Sequence, residues 1–227
     1  MQTVAFCEIE PFCRAVLRKH WPDVPQYDDV RTLTAERLST DGIRPDVICG
    51  GFPCQDISLA GKGAGLSGER SGLWFELHRI IKETNPKYAV IENVSALRSR
   101  GLDEVLRSLT EIGYDSEWHC IPASAIGGSH RRDRVWIVAY PMRQGGQRLV
   151  KSINFSQIGQ MRWRGKEDLQ SIAESPFSKS DMWPQPLLRR GDDGLSGRMD
   201  RTRAIGNAVY PGIPEIIGRA IMQAEMN

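Results

Sequence analysis

The sequence predicts an α/β fold, with a mostly parallel sheet covered by helices on both faces and a small irregular lobe set into it. Three observations predict it. Up to Pro141, short apolar runs alternate with amphipathic segments of ten or more residues. After Pro141 that rhythm fails in a stretch rich in Gly, Ser, Arg and Trp. It returns in the tail, where helical spacing reappears. At 227 residues and 40% apolar content, the chain suits one full domain, or one domain carrying a small second lobe.

The elements follow in order. TVAFCEIE (3–10) reads as a strand, and FCRAVLRKHW (12–21) as a helix that stops before Pro22. PDVICGGF (45–52) is a strand and SGLWFELHRIIKE (71–83) a helix. Next come the strand KYAVIENV (87–94) and the helix LDEVLRSLTEIG (102–113), ended by Gly113. YDSEWHCIP (114–122) and DRVWIVAY (133–140) form a strand pair. In PGIPEIIGRAIMQAEM (211–226) the apolar positions 213, 216, 217, 220 and 221 are spaced for a helix that returns the chain to the first domain. The division is therefore 1–141 for the α/β domain, 142–197 for a variable region, which is a small irregular lobe or a partly disordered insertion, and 198–227 for a closing segment.

Composition narrows the function classes. No run approaches the length of a membrane span, and MQTVAFCEIEP has neither the basic flank nor the apolar stretch of a signal peptide, so a cytoplasmic protein is expected. The five cysteines (Cys7, Cys13, Cys49, Cys54, Cys120) form no CxxC or Cys/His cluster, which argues against a disulfide scaffold or structural zinc. Residues 1–141 carry 17 basic and 19 acidic side chains, and residues 142–204 carry 12 and 7. The excess of positive charge in the second region suits phosphate contacts, or a basic solvated surface.

In such sheets, ligands bind beyond the carboxyl ends of the strands, where Glu8, Cys54, Glu92 and Asn93 are expected. Cys54 follows Gly50, Gly51 and Pro53; the glycines permit close approach of a ligand and the proline stiffens the loop. The residues alone leave two readings of Cys54, a nucleophile or a buried small hydrophobe. A Cys-His hydrolase would need His78, His119 or His130, none of which stands in a supporting motif. Glu92 ends an apolar run, where partial burial would raise its pKa and suit it to proton sharing, or where it caps the following turn. Arg131, Arg132 and Arg134 precede an apolar strand; 132 and 134 share a face if that strand begins early, and they either clamp a polar ligand or decorate a strand end. Glu8, closing the first strand, suits ribose hydroxyls, and Asp29 is a weaker candidate of the same kind.

GFPCQDIS (51–58), ENV (92–94), RRDRVWIV (131–138) and RAIGNAVYP (203–211), in that order, resemble the motif blocks of the DNA cytosine C5-methyltransferases of bacterial or phage type. FCEIEPF also resembles the segment that follows the family's first glycine-rich loop. The resemblance implies a Rossmann-like S-adenosylmethionine-dependent methyltransferase fold with a small irregular target-recognition lobe. It implies methyl transfer to carbon 5 of cytosine through a covalent bond from Cys54 to carbon 6 of a flipped-out base. Glu92 would hold the N3 edge, Arg134 the cytosine carbonyl, and Arg132 would support them. For the cofactor S-adenosyl-L-methionine it implies Glu8 at the ribose, Asp29 near the adenine amine, Ile9 against the adenine, and Phe52 and Pro53 lining the same pocket. Asn207 would bridge the returning helix to the first domain, or cap that helix.

The implied partner is double-stranded DNA, with a separately encoded cognate restriction endonuclease as a further partner, and the protein is expected to be a monomer. Trp163, Trp183, Arg162, Arg164, Arg189 and Arg190 would contact DNA within about 60 residues of variable region. The family's opening glycine-rich segment has no counterpart here, since Met1 falls where the second family strand begins. A start set inside a longer reading frame and a truncated gene product both fit, and either leaves an open strand edge and poor solubility as expectations. The competing functional reading is a weakly active or inactive relative that still binds DNA. RNA methylation by the same chemistry ranks below it.

Overall fold

A computed structural model describes residues 1–53, 72–126, 132–142 and 208–226. The variable region, Cys54, Arg131 and Asn207 lie outside these residues. A two-stranded parallel sheet pairs β1 (Phe6–Cys7) with β2 (Gln26–Tyr27). A four-stranded sheet contains β3 (Val47–Gly51), β4 (Tyr88–Val94), β5 (Tyr114–Pro122) and β6 (Asp133–Pro141) in the order β3-β4-β6-β5.

Helix boundaries follow local chemistry. Helix α1 (Pro11–His20) starts on a proline and carries Arg18, Lys19 and His20 in its last turn, where they complement the helix dipole. Thr34 caps α2 (Ala35–Thr40), its hydroxyl accepting the Arg37 N–H at 3.1 Å. Helix α3 (Gly72–Thr84) is followed by Asn85 at φ 46° and Pro86, which together stop it. Helix α4 (Leu102–Glu111) has Asp103 and Glu104 in its first turn and ends before Gly113 at φ 83°, a conformation that favours glycine. Helix α5 (Gly212–Met226) closes the chain.

Both faces of the larger sheet are covered. Ala89, Ile91, Val135, Ile137 and Ala139 pack on Trp74 and Ile81 of α3 and on Val105 and Leu109 of α4. On the opposite face, Val90, Trp136 and Val138 meet Ile213, Ile216, Ile217 and Ile221 of α5. Double coverage explains why YAVI and VWIVAY are apolar without interruption. A third cluster, built on Leu33, Leu38, Ile43 and Ile80 with Tyr27 and Ile48 against it, joins the small sheet to the large one. Arg79 of α3 reinforces that joint by donating to the carbonyls of Val30 and Leu33, each at 2.9 Å.

The larger sheet is mixed rather than mostly parallel. β3 and β4 run parallel, but β6 enters antiparallel between β4 and β5. The reason is the connection: only the short turn of helix Ala123–Ile126 and a few further residues join β5 to β6, too little for a crossover. The first strand is also shorter than its apolar run, because Phe6 and Glu8 find ladder partners on the β2 side alone. Among the described residues β3 pairs only with β4. No described helix is long and apolar enough to cross a membrane.

Candidate active site

The register of three strands builds one end of the site. Glu92 of β4 lies opposite Gly51 of β3 and Trp136 of β6, while Val94 lies opposite Arg134. The Arg134 Nε–H donates to Glu92 Oε1 at 2.9 Å, and both side chains are largely shielded, at 18% and 20% exposure. Burial pushes the Glu92 carboxyl above its ordinary range, and the positive charges of Arg134 and Arg132 only partly offset that rise. Glu92 is thus a carboxyl that holds its proton to higher pH than a surface glutamate does.

Arg132 does not share a strand face with Arg134. Strand β6 begins one residue later, and Arg132 has φ 33°, in the left-handed region. The turn sends its guanidinium to the Ala208 carbonyl, just before the closing helix. Burial and the neighbouring Arg134 lower its pKa, while Glu92 opposes them.

At the end of β3 acts a residue whose role the sequence reading missed. Asn93 is 3% exposed; its Nδ2 donates to the Phe52 carbonyl at 3.2 Å and its Oδ1 accepts the Val94 N–H at 2.8 Å. The Phe52 ring is anchored as well, 7% exposed and 5.4 Å from the Trp74 ring centre. The backbone that leads into exposed Pro53 and then Cys54 is therefore pinned at two points, and the Phe52 side chain lies in the core rather than lining an open pocket. A polar amide within an apolar strand run was the available signal for Asn93. Nor do the glycines make room for a ligand alone. A Cβ on Gly51 would lie 3.0 Å from the Glu92 carbonyl oxygen, and one on Gly50 would lie 3.2 Å from Leu77.

The β1–β2 pair builds the other end. Parallel register of Cys7 with Tyr27 carries Glu8 and Asp29 to the same carboxyl edge. Glu8 Oε1 accepts the Glu10 N–H at 2.9 Å, and no second hydrogen bond to its carboxylate occurs among the described residues. Ile9 beside it is 55% exposed. Asp29 is engaged by Arg31, whose Nε and Nη2 donate to it at 3.0 and 2.7 Å and whose backbone N–H adds a third bond at 2.9 Å. These bonds hold its carboxyl below the usual range. Burial first, then the charges of Asp29, Glu8 and Asp28, push the Cys7 thiol up to about 11. That keeps Cys7 a thiol at neutral pH, unsuited to attack.

The sequence pattern of the C-5 cytosine-specific DNA methylases matches residues 1–184. The chain belongs to that family. Among curated relatives, it is 29% identical over 180 residues to the type II methyltransferase M.CviJI of Paramecium bursaria Chlorella virus IL3A, covering 79% of this chain and 47% of that protein. It is 28% identical over 209 residues to M1.ScrFI of Lactococcus lactis subsp. cremoris, covering 87% and 50%. Over 122 residues it is 40% identical to M.Sau3AI of Staphylococcus aureus, covering 49% and 29%. The chain thus spans half or less of the length of these methylases.

Solved structures agree on the fold. The Entamoeba histolytica methyltransferase EhMeth superposes with a TM-score of 0.52 at 16% identity, covering 63% of this chain and 46% of that one. A putative DNA modification methyltransferase encoded within an Escherichia coli prophage gives 0.51 at 21% identity, covering 62% and 40%. The methylase family and the Rossmann-like α/β methyltransferase fold read from the motif blocks are both correct.

Proposed function

We propose that this methylase transfers a methyl group to carbon 5 of cytosine in duplex DNA, with Cys54 as nucleophile and Glu92 at the N3 edge of the base. The observation that carries the reading is the shielded Glu92–Arg134 pair, in which burial raises the Glu92 carboxyl, with Glu92 in register with the strand that leads to Pro53 and Cys54. Carbon 5 of cytosine is a weak nucleophile. Attack of the Cys54 thiolate on carbon 6 forms a C–S bond and moves the ring electrons toward carbon 5 and N3. A Glu92 carboxyl that keeps its proton donates to N3 as negative charge gathers there. Once carbon 5 is methylated, its proton leaves to a base and Cys54 is expelled, which restores the aromatic ring. Arg134 orients Glu92, and its remaining N–H groups suit the base's carbonyl oxygen.

S-adenosyl-L-methionine, when bound, supplies the electrophilic methyl group. The residues on the β1–β2 side fit its nucleoside half: Glu8 offers an uncommitted carboxylate oxygen to ribose hydroxyls, and exposed Ile9 offers an apolar face to the base. Asp29 would have to share its carboxylate between Arg31 and an adenine amine.

The direct test is covalent trapping. DNA carrying 5-fluorocytosine in place of cytosine cannot lose a proton from carbon 5, so the Cys54 adduct would persist through denaturing electrophoresis in the presence of the cofactor. No adduct with wild-type protein, or an equal one with Cys54→Ala, would refute the mechanism. One observation favours the second reading, a DNA-binding relative with weak turnover: among the described residues, Glu8, Ile9 and Asp29 lie at the end of a two-stranded sheet not paired with the one that holds Glu92. DNA binding without any adduct would support it.

A further inference from the structure

Glu76, Arg79 and Glu83 are spaced three and four residues apart, which sets them along one side of α3. The Arg79 Nε–H donates to Glu76 at 2.9 Å and Nη1 donates to Glu83 at 2.8 Å, and all three side chains are half-buried. Two carboxylates on one guanidinium hold its planar fork in a single orientation. In that orientation Nη2 donates to the carbonyls of both Val30 and Leu33. Glu83 adds a second link, its Oε2 accepting the Ala35 N–H at 3.1 Å. Residues 30–35 are thus tied to α3 at three backbone groups.

That segment hangs from Asp29. The Asp29 carbonyl accepts the N–H groups of Thr32 and Leu33, each at 3.2 Å, and the Thr32 hydroxyl at 3.0 Å, so Asp29 and the turn after it form one unit. Helix α3 also reaches both parts of the fold: Trp74 and Ile81 pack with Ile91 of β4, while Ile80 packs with Leu33, Leu38 and Ile43. Apolar contacts of that kind set a separation but not a direction. The Arg79 fork supplies the direction. We propose that Arg79 is a positioning residue for the cofactor: through the Val30–Leu33 turn it holds Asp29 in place for the adenine end of S-adenosyl-L-methionine. The inference rests on the methyltransferase reading and deepens its cofactor side. Without the fork, the turn must be ordered as the cofactor binds, which weakens binding but leaves the filled site unchanged.

The test is calorimetric titration of the full chain with S-adenosyl-L-methionine in the absence of DNA, beside thermal unfolding and steady-state methyl transfer. In Arg79→Ala the Kd for the cofactor should rise about tenfold, and its KM with it, while kcat and the KM for DNA stay within about twofold. Arg79→Lys keeps a positive charge between Glu76 and Glu83, but a single ammonium lacks the fork, so a partial rise of about threefold is expected with the thermal midpoint held. This variant carries the test if Arg79→Ala does not fold. Arg219→Ala breaks an exposed ion pair confined to α5 and should bind the cofactor as wild type does. Wild-type affinity in Arg79→Ala, or in Arg79→Lys where the alanine variant is unfolded, would overturn the proposal and leave the methyltransferase reading standing. So would a loss of cofactor affinity matched by equal losses in kcat and DNA affinity, the mark of a general structural role. Wild-type protein that binds no S-adenosyl-L-methionine would overturn the methyltransferase reading and the proposal with it.

Discussion

Gly51 and Glu92 face one another across the parallel β3–β4 pair, so closely that a Cβ at position 51 would lie 3.0 Å from the Glu92 carbonyl oxygen and 3.3 Å from its Oε2. The methyl group of alanine would have to displace either the strand or the carboxylate. Gly51→Ala is expected to cost about 1–3 kcal/mol as an overpacking change. It should lower methyl transfer by more than that loss of stability explains, because it moves Glu92 off Arg134. Denaturant unfolding alongside initial rates would separate the two effects.

Glu92→Gln tests the raised carboxyl. A folded-state pKa above the unfolded one means the folded protein binds the proton more tightly. The stability this contributes is full below the unfolded value, about 4.3, and is lost as pH rises through the raised folded value. Wild-type stability relative to Glu92→Gln should therefore decline with pH across that window. A relative stability that rises with pH there would show the Arg134 pairing outweighing burial.

Asn93→Ala removes the donor to the Phe52 carbonyl. Leaving a buried carbonyl unsatisfied costs about 1–3 kcal/mol. If the amide positions the loop that carries Cys54, kcat should fall while KM for DNA holds steady, and Asn93→Asp should not rescue it, since a carboxylate cannot donate to a carbonyl. A change confined to stability would make Asn93 a packing residue only.

Arg132 offers a comparison between two truncations. At φ 33° glycine is favoured over alanine, so Arg132→Gly should be more stable than Arg132→Ala by about 1 kcal/mol. Both should loosen the link to Ala208, which limited proteolysis would show as faster release of α5. Equal stability of the two variants would mean that the turn relaxes.

The layered core was legible because burial on two faces makes strands uniformly apolar, as in YAVI of β4 and VWIVAY of β6. Such runs carry no direction, which is why the antiparallel entry of β6 was not visible in them. Glu92 stood out as a carboxylate closing an apolar run, and the structure shows that position to be shielded and paired. Asn93, its neighbour, has the same sequence context, but the acceptor it serves, the Phe52 carbonyl, is a backbone group that only the β3–β4 register brings near. Arg132 has the spacing to share a face with Arg134 only if that strand begins early; instead its guanidinium donates to the carbonyl of Ala208, far away in sequence. The bonds from Arg31 to Asp29 span two residues and leave no periodic trace.

In the proposed reaction Cys54 and Glu92 together activate carbon 5 of cytosine for methylation. Transfer of tritiated methyl from S-adenosyl-L-methionine to duplex DNA, with the labelled base identified after hydrolysis, tests it most directly. Label is expected in 5-methylcytosine with wild-type protein, none with Cys54→Ala, and a rate reduced at least tenfold with Glu92→Gln. Label retained in Cys54→Ala, or DNA bound by wild type with no label transferred, would contradict it.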